Sequence, residues 1–227
     1  MSKVLICPDV HGRSFWHRAE ELINEVDQVV FLGDYLDPYG HEGVTFDQAL
    51  EEFEKILTFK EKYSDKVILL IGNHDAHYID TQFMDCSRLN YRQRQDIHEL
   101  YRKHIDKFSL VFKYEDTWLF SHAGVYTNWL KSNDLKLDDL QDFKTFLANH
   151  FYTLEDLSFY RGGWNSVGSC VWADIRESIK NEVLPGFIHI VGHTQLNDEP
   201  YQSEFISCVD VRRCFILDTT TKTICNA

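Results

Sequence analysis

Five short polar clusters in this 227-residue sequence hold the residue types that could do chemistry: Asp9-Val10-His11-Gly12, Gly33-Asp34-Tyr35-Leu36-Asp37, Gly72-Asn73-His74-Asp75, Ser121-His122-Ala123-Gly124 and Gly192-His193-Thr194. Asp and Asn oxygens with His nitrogens make a mixed hard and borderline donor set, suited to Mn, Fe, Zn or a similar divalent ion. Thiolate sites would need cysteines, and none lies in these clusters. Two such ions about 3.5–4 Å apart, bridged by one carboxylate, can clamp a phosphoryl group and turn a bridging water into hydroxide. Each piece alone has an ordinary reading: D-x-H is a common surface pair, a lone histidine can fill a core, and Asn73 suits the turn after a strand. Their joint occurrence points to a metal site.

Each cluster follows an apolar run of strand length, so the elements behind them must bring five chain segments to one rim. Val4 to Cys7, Val29 to Leu32 and Val67 to Ile71 alternate with helix-period segments, Phe15 to Glu25 and Phe46 to Tyr63, a βαβαβ order. In such sheets ligands bind outside the carboxyl ends of the strands. Phe46, Ala49, Leu50, Phe53, Ile56 and Leu57 recur at three and four residues and give the second helix one apolar face. Farther on, a helix is expected over Arg88 to Lys107. Leu110 to Tyr114 and Thr117 to Phe120 flank Glu115-Asp116 as a hairpin. Leu137 to Phe151 has a helical pattern, and Tyr160 to Ser169 reads as a Gly-rich loop. Phe187 to Val191, Phe205 to Val211 and Cys214 to Asp218 read as closing strands. The expected fold class is α/β, two packed mixed β-sheets flanked by helices, in a single domain over residues 1–227, because no linker or repeat interrupts the chain.

The 36 acidic against 23 basic residues give a net charge of −13. A surface this acidic repels long nucleic acids and anionic membranes, so phosphate chemistry needs a local positive centre. No apolar run reaches membrane-spanning length, and the N-terminal run is too short for a signal-peptide core. The six cysteines are dispersed without a C-x-x-C pair, which reads as reduced core thiols in a cytoplasmic protein.

The order D-x-H, G-D-x-x-D, G-N-H-[D/E], H and G-H-T from Asp9 to Thr194 resembles the calcineurin-like metallophosphoesterases, and within them the phosphoprotein phosphatase branch. The resemblance implies a four-layer α/β/β/α sandwich and two divalent metal ions. By position, Asp9 and His11 would hold one metal, Asp34 would bridge, and Asn73, His122 and His193 would complete the second. His74 would protonate the leaving oxygen as a general acid assisted by Asp37. The implied activity is hydrolysis of phosphomonoesters by a metal-bridging hydroxide, on a phosphorylated small molecule, nucleotide or phosphoprotein.

Two departures stand out. Many relatives outside the phosphoprotein phosphatase branch end in G-H-x-H, whereas Gln195 occupies the last position here. In the phosphoprotein phosphatases the second Asp of G-D-x-x-D is followed by an arginine that contacts phosphate, and here Pro38 follows Asp37. Arg161 and Arg176 are candidate replacements, because a guanidinium matches phosphate bidentately. Trp164 and Trp172, with Tyr160, are candidates for a substrate groove; His77 and His41 are expected at the surface or beside the ligands. Two alternatives stay open: a diadenosine tetraphosphate or other nucleotide hydrolase or phosphodiesterase, and a non-catalytic scaffold with the same fold. A scaffold would be expected to lose ligands, and all six are present. Oligomeric state has no signal in the sequence.

Overall fold

In a computed structural model, which describes residues 2–179 and 181–227, the apolar runs form two sheets. The first contains β1 (Lys3–Cys7), β2 (Gln28–Phe31), β3 (Val67–Leu70), β4 (Phe108–Ser109), β10 (Phe215–Asp218) and β11 (Thr223–Asn226), ordered β11-β10-β1-β2-β3-β4. Strands β1 to β4 run parallel, while β10 and β11 are antiparallel to their neighbours. The second sheet contains β5 (Val111–Tyr114), β6 (Trp118–Ser121), β7 (Ile188–Val191), β8 (Tyr201–Gln202) and β9 (Ile206–Cys208), ordered β5-β6-β7-β9-β8. Within it β6, β7 and β9 are parallel, and β5 and β8 flank them antiparallel.

The continuous apolar runs follow from burial on both faces. Alternate residues Val4, Ile6, Val30, Leu32, Leu70, Phe215 and Leu217 pack against Trp118, Phe120 and Ile190 of the second sheet. Their neighbours Leu5, Cys7, Val29, Phe31 and Leu69 face the other way, into a cluster with Trp16, Ala19, Phe53, Ile56 and Ala76 from the helical side. The expected helix-flanked pair of mixed sheets is thus the observed one. Among the described residues no helix is long and apolar enough to cross a membrane.

Helix α1 (Arg18–Leu22) follows a 3₁₀ turn at Ser14–His17, and α2 (Phe46–Lys62) starts at a capping box in which Thr45 and Gln48 satisfy each other's backbone N–H. The expected helix over Arg88 to Lys107 is shorter: α4 (Arg94–Lys103) begins late because Arg88 adopts a left-handed φ of 66° and Asn90 Oδ1 accepts from Gln93 N–H. Between β3 and α4 lies α3 (Asn73–Ile79). The pattern over Leu137 to Phe151 breaks into a 3₁₀ turn at Leu137–Leu140 and α6 (Phe143–Asn149), which follows α5 (Thr127–Ser132). All six cysteines are unpaired; Cys225 is exposed rather than in the core.

One buried group away from the rim makes the fold pH-sensitive. His189, in the middle of β7, is fully buried; its Nε2 lies 3.0 Å from the Leu184 carbonyl and its Nδ1 has no partner. Burial pushes the imidazole down to about 4. The unfolded ring takes a proton near pH 6.5, so between about 6.5 and 4 only the unfolded chain binds it. Stability should fall by about 3 kcal/mol as pH drops through that window. Urea denaturation at neutral and acidic pH should show a shallower loss for His189→Gln than for the unsubstituted chain.

Candidate metal centre

The five clusters meet at the carboxyl ends of β1, β2, β3, β6 and β7, where the two sheets come side by side. His11, Asp34, Asp37 and His193 all have left-handed φ values, between 45° and 62°. Non-glycine residues there carry strain that persists only when the surroundings over-determine it, as at functional sites. Close packing fixes the two carboxylates. A Cβ on Gly72 would fall 2.2 Å from Asp34 Oδ1, and one on Gly192 would fall 2.1 Å from Asp9 Oδ1. Asp9 accepts from His193 N–H through both oxygens, at 2.9 and 3.1 Å, and Asp34 Oδ1 accepts from His74 N–H at 2.8 Å.

The outer hydrogen bonds decide what faces inward. His11 Nδ1 lies 2.7 Å from the Leu36 carbonyl and His122 Nδ1 lies 2.7 Å from the Leu32 carbonyl. A carbonyl only accepts, so both rings carry the proton on Nδ1 and turn a bare Nε2 inward. Asp34 Oδ2 sits 3.5 Å from His11 Nε2 and 3.6 Å from His122 Nε2. His122 Nε2 is also 3.0 Å from Asn73 Oδ1 and 3.1 Å from His193 Nδ1. Burial lowers the pKa of all three imidazoles, keeping them neutral. Burial, followed by the charges of Asp9 and Asp75, pushes the Asp34 carboxyl well up. The bare Nε2 atoms of His11 and His122 therefore converge on a carboxyl whose charge is disfavoured without a counter-ion, an arrangement that cations would resolve. Asp9, His11 and Asp34 form one such group, and Asp34, His122 and His193 another, with the Asn73 oxygen beside the second.

A third group, Asp37, His74 and His77, also clusters, but its chemistry differs. His77 Nδ1 accepts from Cys86 N–H at 3.1 Å, so its proton is on Nε2, 2.9 Å from Asp37 Oδ2. A nitrogen carrying a proton is no ligand. His74 Nδ1 lies 2.7 Å from the same oxygen, and the Tyr78 hydroxyl, which accepts from Asn90 N–H, donates to Asp37 Oδ1. Burial alone would raise the Asp37 carboxyl; the two histidines hold it below its usual value. Asp37 thus orients His74 with Nε2 toward the opening. His77 is fully buried beside the dyad, not at the surface, whereas His41 is exposed.

Asp75 was legible as part of its cluster but not in its task. Its Oδ2 accepts from Asp34 N–H and Gly72 N–H, each at 2.7 Å, and its Oδ1 from Tyr35 N–H at 3.1 Å and Tyr101 O–H at 2.6 Å. This buried carboxylate ties the turn after β2 to the turn after β3. Asn at position 75 would oppose an N–H donor with its own NH₂ in either orientation. Asp75→Asn should cost ~2–4 kcal/mol; an unchanged midpoint in urea denaturation would contradict this.

The arginines divide. Arg161 reaches the rim, donating to Thr194 Oγ1 at 2.7 Å with Nε 3.0 Å from Asp174. Arg176 does not reach it: its fork is spent on both Asp174 oxygens, at 2.7 and 2.8 Å, with the guanidinium 4.7 Å over Tyr160. Trp172 stands edge-on to His193 at 5.7 Å, while Trp164 is 93% exposed. Arg88 and Tyr39 had no sequence signal. Arg88 Nε donates to the Asp37 carbonyl at 3.0 Å, and its Nη2 lies 3.4 Å from His74 Nε2.

The chain is similar to known proteins both in sequence and in fold. An 81-residue stretch, 34% of this chain, is 32% identical to the serine/threonine-protein phosphatase 6 catalytic subunit of Drosophila melanogaster and covers 24% of it. The serine/threonine-protein phosphatase 4 catalytic subunit of Eremothecium gossypii matches at 31% over 81 residues, 34% of this chain and 23% of that protein. The match thus spans about a quarter of these relatives' length. A protein serine/threonine phosphatase from Saccharomyces cerevisiae superposes with a TM-score of 0.58 at 13% identity, over 95% of this chain and 72% of its own. A metallophosphoesterase from Sphaerobacter thermophilus gives 0.50 at 14%, over 98% and 86%. These two share the fold. The calcineurin-like phosphoesterase family model matches residues 2–204, from before Asp9 to beyond His193, and with that span every polar cluster at the rim falls inside the match: the chain belongs to the calcineurin-like phosphoesterase family.

Proposed function

We propose that this chain is a metal-dependent phosphomonoesterase of the phosphoprotein phosphatase type, with two divalent ions. The observation that carries the reading is Asp34 Oδ2 between two bare imidazole nitrogens, 3.5 Å from His11 Nε2 and 3.6 Å from His122 Nε2. Asp9, His11 and Asp34 would hold one ion, and Asp34, Asn73, His122 and His193 the other. When bound, the ions supply Lewis acidity toward a phosphoryl group and an activated water. The local charge they bring answers the net −13 of the chain. His74, outside both groups and oriented by Asp37, delivers a proton from Nε2 to the leaving oxygen.

The test is metal analysis of the purified chain followed by an aryl phosphate assay with Mn²⁺. Two metal equivalents and chelator-sensitive turnover are expected. No turnover with any divalent metal would overturn the reading, and no bound metal would favour a scaffold. A nucleotide substrate is the second reading, favoured by Trp164 and Phe159, 93% and 75% exposed on the loop that carries Arg161 and available to stack a base. Rates on phosphoseryl peptides against dinucleoside polyphosphates separate the two.

A further inference from the structure

We propose that Arg88, held on the face of Tyr39, grips the substrate's phosphoryl group; the assignment rests on the phosphoesterase reading above. Arginines around the rim differ in how their charge is spent. Arg13 and Arg212 pair with Glu42, and Arg161 and Arg176 with Asp174. Among the described residues Arg88 has no carboxylate within ion-pair distance. Its guanidinium carbon lies 3.8 Å from the Tyr39 ring centroid, and its Nε is fixed on the Asp37 carbonyl at 3.0 Å. Nη1 donates to Ser87 Oγ at 3.0 Å, and Nη2 stops 3.4 Å from His74 Nε2, at the edge of donor range. The side chain is half-buried, and the backbone beneath it is left-handed, with φ 66°.

Those contacts fix position without neutralising charge. A stacked guanidinium is pre-organised, so little entropy is lost when it takes an anion, and its planar fork matches two phosphoryl oxygens. The anion's place is set by His74: Nε2 faces the leaving oxygen, and Nη2 is beside Nε2. Tyr39 is the positioning residue. Its ring carries Arg88 on its face and meets His11 edge-on at 5.1 Å, so one side chain registers the cation against the candidate ligands.

The experiment measures inorganic phosphate as a competitive inhibitor of aryl phosphate hydrolysis by the Mn²⁺-loaded chain, with metal content determined on every variant. Arg88→Met should raise Ki for phosphate and KM for the ester by about 10- to 100-fold, with metal content unchanged. Arg88→Lys keeps the charge without the fork and should fall between. Tyr39→Leu should weaken phosphate binding less than Arg88→Met does, and Tyr39→Phe should restore most of it, because stacking needs the ring and not the hydroxyl. An Arg88→Met chain with full metal content and an unchanged Ki overturns the proposal. So does a metal-loaded, active wild type that phosphate does not inhibit, which leaves the phosphoesterase reading standing; a wild type without metal or turnover overturns both.

Discussion

Asp34→Asn is expected to lower kcat/KM by ~10³-fold or more, because the interaction removed supplies several kcal/mol of transition-state stabilisation. The hydrogen bonds dictate how the substitution fails. Asp34 Oδ1 accepts from His74 N–H at 2.8 Å, so the asparagine oxygen must take that place. Its NH₂ then occupies the Oδ2 position and points N–H bonds at the bare Nε2 atoms of His11 and His122. A bridging acceptor becomes a donor facing both rings, which disfavours cations there. Metal content should drop below two equivalents, and the rise in melting temperature on adding Mn²⁺ should shrink in step. Without metal the sign reverses. Burial and the charges of Asp9, Asp75 and Asp37 press on the Asp34 carboxylate, so the metal-free variant should be at least as stable as the metal-free wild type. Full metal content with full turnover in Asp34→Asn would overturn the bridging role.

What could be read from the sequence, and what could not, divides along the range of the interactions. Asp9, His11, Asp34, Asn73, His122 and His193 each follow an apolar run directly, and a run buried on both faces leaves little doubt about where a strand ends. Topology then does the rest, since parallel neighbours bring their carboxyl ends to the same edge. Strands β4 and β8 are two residues long, too short to show any periodicity. Arg176 was a reasonable phosphate candidate by type, but its fork is consumed two residues away by Asp174. Arg88 lies on the segment expected to be helical. Its position depends on a left-handed backbone, a tyrosine ring and a carbonyl from another turn, none of which has a period. The candidate ligand positions are local properties of strand ends; the group proposed to hold substrate is set by a loop conformation.

His74→Asn should separate catalysis from metal binding. Turnover should fall by about 10²–10⁴-fold, the usual contribution of a positioned acid, while metal content stays at the wild-type value. Metal should be spared because the His74 N–H that holds Asp34 Oδ1 is kept, while its ring is hydrogen-bonded to Asp37 and touches the candidate ligands only by an edge-on contact with His11 at 5.2 Å. The loss should depend on the leaving group. An aryl oxide departs with little need for a proton, whereas an alkoxide needs one, so alkyl phosphates should lose most. An equal loss on both substrates would assign His74 to positioning rather than to proton delivery. Asp37 supplies the cross-check, since its carboxylate acts through the His74 ring. Asp37→Asn alone should slow the same substrates in the same order. Combined with His74→Asn it should add little, because residues that act as one unit are not additive. Tyr78→Phe, which removes one donor to Asp37 but leaves both histidines in place, should reproduce the pattern more weakly. A graded series from Tyr78 through Asp37 to His74, at constant metal content, is what a proton donor held in orientation by its hydrogen-bond partners, beside the candidate metal ligands, requires.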